Sequence, residues 1–234
     1  MPDENEHQGG DDLLSEKWRS TISHDLRAPV VTIDLAASLL RDEPAVAQSP
    51  ELSGLIRRIA GAAGRLNDMI QNISDSMLIE AGRISIHLEE VDIRTIVEDA
   101  IEAISLPPGR PVEPRLEAAP ERARVDPDRV ERALEILLRN ADQFGDPGTP
   151  IKIDVAEENG WVSFSVINEG PAPPDGSKLF ERFYRARVAG RAAPEGLGLG
   201  LFVARGLIEA HGGRIGFERD ERERTVFSFS VPAS

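Results

Sequence analysis

The sequence predicts two architectures in series: an all-α helical hairpin that completes its core as a dimeric four-helix bundle, then an α/β sandwich. Three observations carry that prediction. Through the first third of the chain, apolar residues recur at helical spacing in two runs of similar length. Beyond residue 83 the pattern switches repeatedly between strand and helix periods, and turn-forming pairs such as Asn159-Gly160 separate the alternating runs.

Residues 1–12 form a polar, Gly-containing tail expected to be disordered. From Leu13 to Leu40 the apolar positions Leu14, Trp18, Ile22, Leu26, Val30, Ile33, Ala37 and Leu40 define one long helix. "RDEPAVAQSP" breaks it with two prolines. Ser49-Pro50-Glu51 then opens a second helix, striped with Leu52, Leu55, Ile59, Ala62, Leu66, Ile70, Ile73 and Met77. Two such helices cannot bury their stripes in a bare hairpin. Pairing two copies buries them, and packing the hairpin on the rest of the chain is the other arrangement. The helical part is bounded at 13–82 and the second part at 83–234.

In the second part, "ISIHL" (84–88) alternates like a strand, and "VDIRTIVEDAIEAI" follows as a helix with Asp92 near its start. Short strands are expected over "PVEPRLEAAPERARVDPD", a helix over "PDRVERALEILLRNADQF" and a hairpin over "IKIDVAEENGWVSFSVIN". "LFERFYRAR" (179–187) reads as a short aromatic and basic helix, a further helix spans roughly 199–211, and two antiparallel strands close the chain. The expected sheet is mixed or antiparallel with helices on one face. His87 falls on a short strand and reads as structural or exposed.

With 41 acidic against 27 basic residues, the formal charge of −14 has the wrong sign for a duplex-binding surface, so nucleic acid is not the expected partner. The absence of cysteine removes disulfides, thiolate chemistry and Cys-containing zinc clusters. The opening residues are acidic where a secretory signal is basic and then apolar, and no apolar run reaches the length of a membrane span. A cytoplasmic location without membrane insertion is expected. In so negative a chain, an anionic substrate needs a local device such as exposed backbone amides, a helix N-terminus or a metal ion.

"APEGLGLGLFVARGLIEAHGG" (193–213) offers such a device, since Gly196, Gly198 and Gly200 stand where a helix begins. No Gly-Lys-Ser or Gly-Lys-Thr follows, and the glycines lie two apart with no parallel βαβ unit around them, so neither a Walker motif nor a dinucleotide fingerprint fits. Taken alone, the stretch suits a phosphate site or an ordinary Gly-rich turn. Asn140, near the end of an apolar helix, reads alone as a cap or an exposed polar residue. "VINEGPAPP" places Asn168 and Gly170 in a turn after a strand. Phe180 and Phe183 suit the pinning of a loop to the core, and Arg182, Arg185 and Arg187 suit a triphosphate.

In order along the chain, "SHDLRAPV" resembles the phospho-acceptor box of the dimerisation and histidine-phosphotransfer domain of sensor histidine kinases of two-component systems. "LLRNADQF", "INEGPAP", "LFERFYR" and "GLGLGL" resemble the N, G1, F and G2 boxes of the same family's ATP-binding domain, a Bergerat/GHKL-like fold. The similarity spans roughly residues 15–233. It implies that His24 is the nucleophile taking the γ-phosphoryl of ATP, with Asp25 accepting a proton or orienting the ring and Arg27 contacting phosphate. It implies that Asn140 holds Mg²⁺ and that Asn168 stands where the family's aspartate receives the adenine amino group. Gly170, Gly196, Gly198 and Gly200 would shape the nucleotide site and its lid, with Phe180 and Phe183 anchoring the lid and Gln143 and Arg185 beside the phosphates. A receiver domain of a response regulator would be the acceptor, the chain would act as a homodimer, and a separate sensor protein could supply the input. His211 reads as packing or C-terminal capping.

Several positions depart from the family's pattern. Ile136 stands at the first N-box asparagine, Gln143 at a common lysine, Asn168 at the aspartate, Ala172 at a G1 glycine, and Ala28 at a hydroxyl or amide four residues past the histidine. They predict weak ATP affinity or slow autophosphorylation, and weak phosphatase activity. The runner-up reading is a dimeric histidine phosphotransferase or scaffold with a degenerate nucleotide domain, phosphorylated by a partner.

Overall fold

A computed structural model describes residues 26–41, 43–104, 106, 110–173, 175–187 and 196–233. The N-terminal tail, His24 and Asp25 lie outside the described residues. The chain divides into two compact units, Met1–Met77 and Leu78–Ser234.

In the first unit, the described residues 26–41 are helical throughout (α1) and α3 covers Pro50–Glu80, whose last turn counts with the second unit. The break between them contains a short helix, α2 (Pro44–Ala47), where the sequence reading expected only a break. Pro44 occupies its first turn, where a fixed φ suits a helix and no amide bond is lost. Small residues let the helices approach: Val30 packs with Ala63 and Ile70, and Ala37 with Val46 and Ile56. Ser53 Oγ donates to the Val46 carbonyl at 2.8 Å and ties α3 to α2. Much of the apolar stripe stays outside these clusters. Leu26, Ile33, Leu40, Leu52, Leu55, Ile59 and Leu66 are all exposed, and Leu39 is 64% exposed.

The second unit holds a five-stranded mixed sheet of order β2-β4-β5-β7-β6: β2 (Val112–Ala118), β4 (Ile151–Glu158), β5 (Trp161–Asn168), β6 (Arg214–Arg219) and β7 (Thr225–Pro232). Only β2 and β4 run parallel. β1 (Glu89–Asp92) and β3 (Arg122–Val125) form a separate antiparallel pair. Helices α4 (Ile93–Ala103), α5 (Pro127–Phe144) and α6 (Gly200–Ala210) lie side by side with α5 in the middle, packed on the sheet. Alternating residues of β4 and β5 (Ile151, Ile153, Val155; Val162, Phe164, Val166) meet Leu134, Leu137 and Leu138 of α5 and Leu207 and Ile208 of α6 in one core. Phe164 stacks on Phe229 at 4.8 Å. Asn159 and Gly160 both take positive φ, as a tight hairpin turn with the twist of its strands requires.

Two expected elements differ. Residues 84–88 are not a strand. β3 ends at Val125, opposite Glu89, because Asp126 turns away as the N-cap of α5, and earlier residues have no strand to pair with. The His87 amide instead donates to Asp126 Oδ2 at 2.8 Å, and its side chain is exposed. Residues 179–187 are not helical either: a 3₁₀ turn at Gly176–Lys178 gives way to irregular chain, and Phe183 sits at φ 61°, outside any right-handed helix.

Candidate functional site

Helix α5 supplies the first wall. Asp126 caps its start by accepting from the Arg129 amide, Pro127 takes the first helical position, and an apolar face from Val130 to Ala141 is buried. Asn140 is half-buried one turn before the end. Ile136, one turn earlier on the same side, is 6% exposed and lies against Gly200 at the start of α6, where a Cβ would sit 3.3 Å from Ile136 Cγ2. Gln143 is exposed. The helix end is clasped by Arg110, which no motif in the sequence marks. Its Nη1 donates to the Asp142 carbonyl at 2.7 Å and to Asp142 Oδ1 at 2.9 Å, while Nη2 donates to the Ala141 carbonyl at 3.2 Å. A buried guanidinium thus satisfies carbonyls that every helix leaves open.

The second wall is the turn after β5. Asn168, the last residue of that strand, is 3% exposed and lies opposite Thr225 of β7. Its Nδ2 donates to the Glu169 carbonyl at 3.3 Å. That leaves Oδ1 as the acceptor. Gly170 abuts the end of α5, since a Cβ there would come within 2.7 Å of the Phe144 carbonyl, and the Asp146 amide donates to the Glu169 carbonyl at 2.7 Å. The Asn140 helix end and the Asn168 turn are therefore brought together.

Glycines build the third wall. Gly198 takes φ +69°, and a Cβ there would lie 2.6 Å from the Tyr184 carbonyl; its own carbonyl accepts from the Phe183 amide at 2.9 Å. The segment carrying Arg185, whose side chain is exposed, is thereby held against the glycine turn. Gly196 takes φ +100°. Leu199, the N-cap of α6, contributes no side-chain hydrogen bond, so the first-turn amides have no side-chain cap and face the approach to Gly200. A turn in which Gly198 leaves no room for a Cβ, and which ends in amides without a side-chain cap, fits a polyphosphate. Phe180 packs edge-on to Phe227 at 6.4 Å. Phe183, expected to pin the loop, is 61% exposed under the Arg182 guanidinium, which also pairs with Glu80.

Elsewhere, Arg27 donates to Gln71 Oε1 at 2.5 Å, and Gln71 donates to Asp75 at 2.9 Å, which engages Arg27 with α3. His211 is the C-cap of α6: its Nδ1 meets the Leu207 carbonyl at 3.0 Å and its Nε2 accepts from the Asp126 amide at 3.2 Å. A polar cleft of about 410 Å³ shares Glu169 and Gly170 with the second wall but carries neither Asn140 nor the α6 glycines. The Ser177 hydroxyl, bonded to Asp175 at the start of the 3₁₀ turn, holds that exposed carboxyl below its ordinary range. Glu131 is pushed up by burial first, then by Glu135, Asp99 and Asp128. No group of three or more His, Cys, Asp or Glu suited to a metal occurs among the described residues.

A helical hairpin is followed by a mixed sheet with three helices over it, and α5, which carries Asn140, packs through Ile136 against the glycine that opens α6. Residues 16–82 match the His Kinase A (phospho-acceptor) domain and residues 125–234 match the histidine kinase-, DNA gyrase B- and HSP90-like ATPase family. The signal transduction histidine-protein kinase AfsQ2 of Streptomyces coelicolor is 29% identical over 240 residues, covering 95% of this chain and 43% of AfsQ2. Sensor histidine kinase MtrB of Mycolicibacterium paratuberculosis is 31% identical, covering 94% of this chain and 39% of MtrB. The crystal structure of full-length ShkA in complex with AMPPNP superposes with a TM-score of 0.65 at 24% identity over 92% of this chain and 45% of ShkA, which supports the fold. The chain belongs to the sensor histidine kinases of two-component systems, and it spans less than half the length of these relatives.

Proposed function

We propose that the chain is an ATP-dependent protein-histidine kinase that phosphorylates His24 and passes the phosphoryl group to an aspartate of a response-regulator receiver domain. The observation that carries the reading is the convergence of three walls: Asn140 on α5, buried Asn168 ending β5, and the uncapped amides of α6 behind Gly198. Asn168 Oδ1 accepts from the adenine amino group, the amides and Arg185 meet the phosphates, and Asn140 gives its side-chain oxygen to Mg²⁺. Bound there, the metal ion neutralises phosphate charge. A neutral His24 nitrogen forms the N–P bond as the γ-phosphorus separates from the bridging oxygen of ADP, and the proton on the other ring nitrogen passes to Asp25.

Ile136 and Gln143 place an apolar and an uncharged group where further metal or phosphate contacts would help, and slow turnover follows. The apolar surface left on α1 and α3 supports a homodimer. No described helix is long and apolar enough to cross a membrane, and we assign the chain to the ATP-containing cytoplasm with a sensor protein or segment as its input. The two family matches favour the kinase over a phosphotransferase or scaffold fed by a partner. MgATP should raise the melting temperature of the purified chain, and Asn168→Ala should remove that rise. No shift at millimolar ATP would overturn the nucleotide reading.

A further inference from the structure

We propose that Arg219 is a positioning residue for base recognition: its guanidinium holds the turn after β5 and, through that turn, the direction in which Asn168 presents its carbonyl. The proposal rests on the nucleotide reading above. Asn168, Thr225 and Arg219 form one row across three adjacent strands, with Asn168 opposite Thr225 and Thr225 opposite Arg219. Residues opposite each other in antiparallel pairs share a face of the sheet, so the three side chains rise on the same side. Asn168 and Thr225 are buried. Arg219 is long enough to reach past Thr225. Its Nη1 donates to Thr225 Oγ1 at 3.1 Å and to the Gly170 carbonyl at 2.9 Å, and its Nη2 donates to Glu223 at 3.3 Å.

The consequence lies in the two residues between. Asn168 Nδ2 donates to the Glu169 carbonyl, so the orientation of the amide follows the backbone of Glu169 and Gly170. That backbone is confined on one side by the Phe144 carbonyl, against which Gly170 has no room for a Cβ, and on the other by the Arg219 bond. With Nδ2 engaged, Oδ1 is the atom left to accept from a ligand. At position 6 an amino purine offers it a donor, and an oxo purine places another acceptor there. Removing Arg219 frees the turn, lets the amide rotate, and erases the distinction while leaving the phosphate cradle on α6 untouched.

The test compares dissociation constants of MgATP and magnesium inosine triphosphate, which carries the 6-oxo group, for the parent chain, Arg219→Met, Arg219→Gln and Arg219→Lys, each checked for folding by thermal unfolding. Arg219→Met and Arg219→Gln should weaken MgATP by roughly tenfold and leave the inosine nucleotide within about twofold, so that selectivity collapses. Arg219→Lys, which retains a donor of similar reach, should retain most of the selectivity. An equal loss for both nucleotides, or a lower melting temperature with unchanged selectivity, would show Arg219 to be structural only and overturn the proposal. A parent chain that binds neither nucleotide would instead remove the nucleotide reading, and this inference with it.

Discussion

In the proposed function Asn168 would meet a purine with an amide, and a carboxylate at the same buried position would accept the amino group through a charge-assisted bond of about twice the strength. Asn168→Asp should therefore tighten MgATP by roughly three- to tenfold. The same change sets a carboxylate against the Glu169 carbonyl, so the ligand-free protein should melt at a lower temperature. Titration calorimetry and thermal scans on one sample check both signs. Glu131 gives a pH-dependent counterpart. Its folded-state pKa is raised, so both states are protonated below the unfolded value of about 4.3 and the residue contributes nothing there. As pH rises through that value towards the folded one, the unfolded chain ionises first and stability falls. Glu131→Gln should raise the melting temperature at neutral pH and change it little in acid; a gain that is equal in acid would contradict this. The places of Asn140 on α5, Asn168 at the end of β5 and Gly198 before α6 were legible in the sequence from the short family motifs in which they stand. Arg110 and Arg219 were not, since their acceptors lie tens of residues away and nothing near either arginine announces them.

At the scale of elements, the glycine turn before α6 is the most constrained segment of the site. Gly198 combines a left-handed backbone with contact against the Tyr184 carbonyl. Gly198→Ala should cost about 1–3 kcal/mol in stability and displace the Arg182–Arg185 segment, with MgATP affinity falling along with it. Denaturant unfolding and nucleotide titration test this, and an unchanged affinity would mean that the turn does not shape the ligand site. Helices and the central strands followed their hydrophobic periods closely, and Asp92, expected near the start of a helix, is the N-cap of α4. The two departures have a common cause. Whether residues 84–88 pair depends on where β3 stops, and whether residues 179–187 coil depends on the bond between Phe183 and Gly198, so both are decided by partners distant in sequence.

For the molecule as a whole, the hairpin buries two small clusters and leaves Leu52, Leu55, Ile59 and Leu66 of α3 exposed beside Leu26, Ile33 and Leu40 of α1. Surface of that kind is unfavourable in water unless covered, and the proposed homodimer would cover it with the same stripe of a second copy. Sedimentation should find a dimer at micromolar concentration, and Leu55→Glu with Ile59→Glu should yield monomers; a monomeric parent would contradict the bundle. The sequence pattern made the hairpin readable, but not the contacts of His24, whose surroundings lie outside the described residues. Transfer of phosphate from ATP to His24 is reached directly by one measurement: incubation of the purified chain with γ-labelled ATP and Mg²⁺, beside His24→Ala, followed by acid treatment. Incorporation should be slow, acid-labile and absent from His24→Ala. A folded, dimeric, nucleotide-bound chain that takes up no label, or takes up label equally without His24, would contradict it.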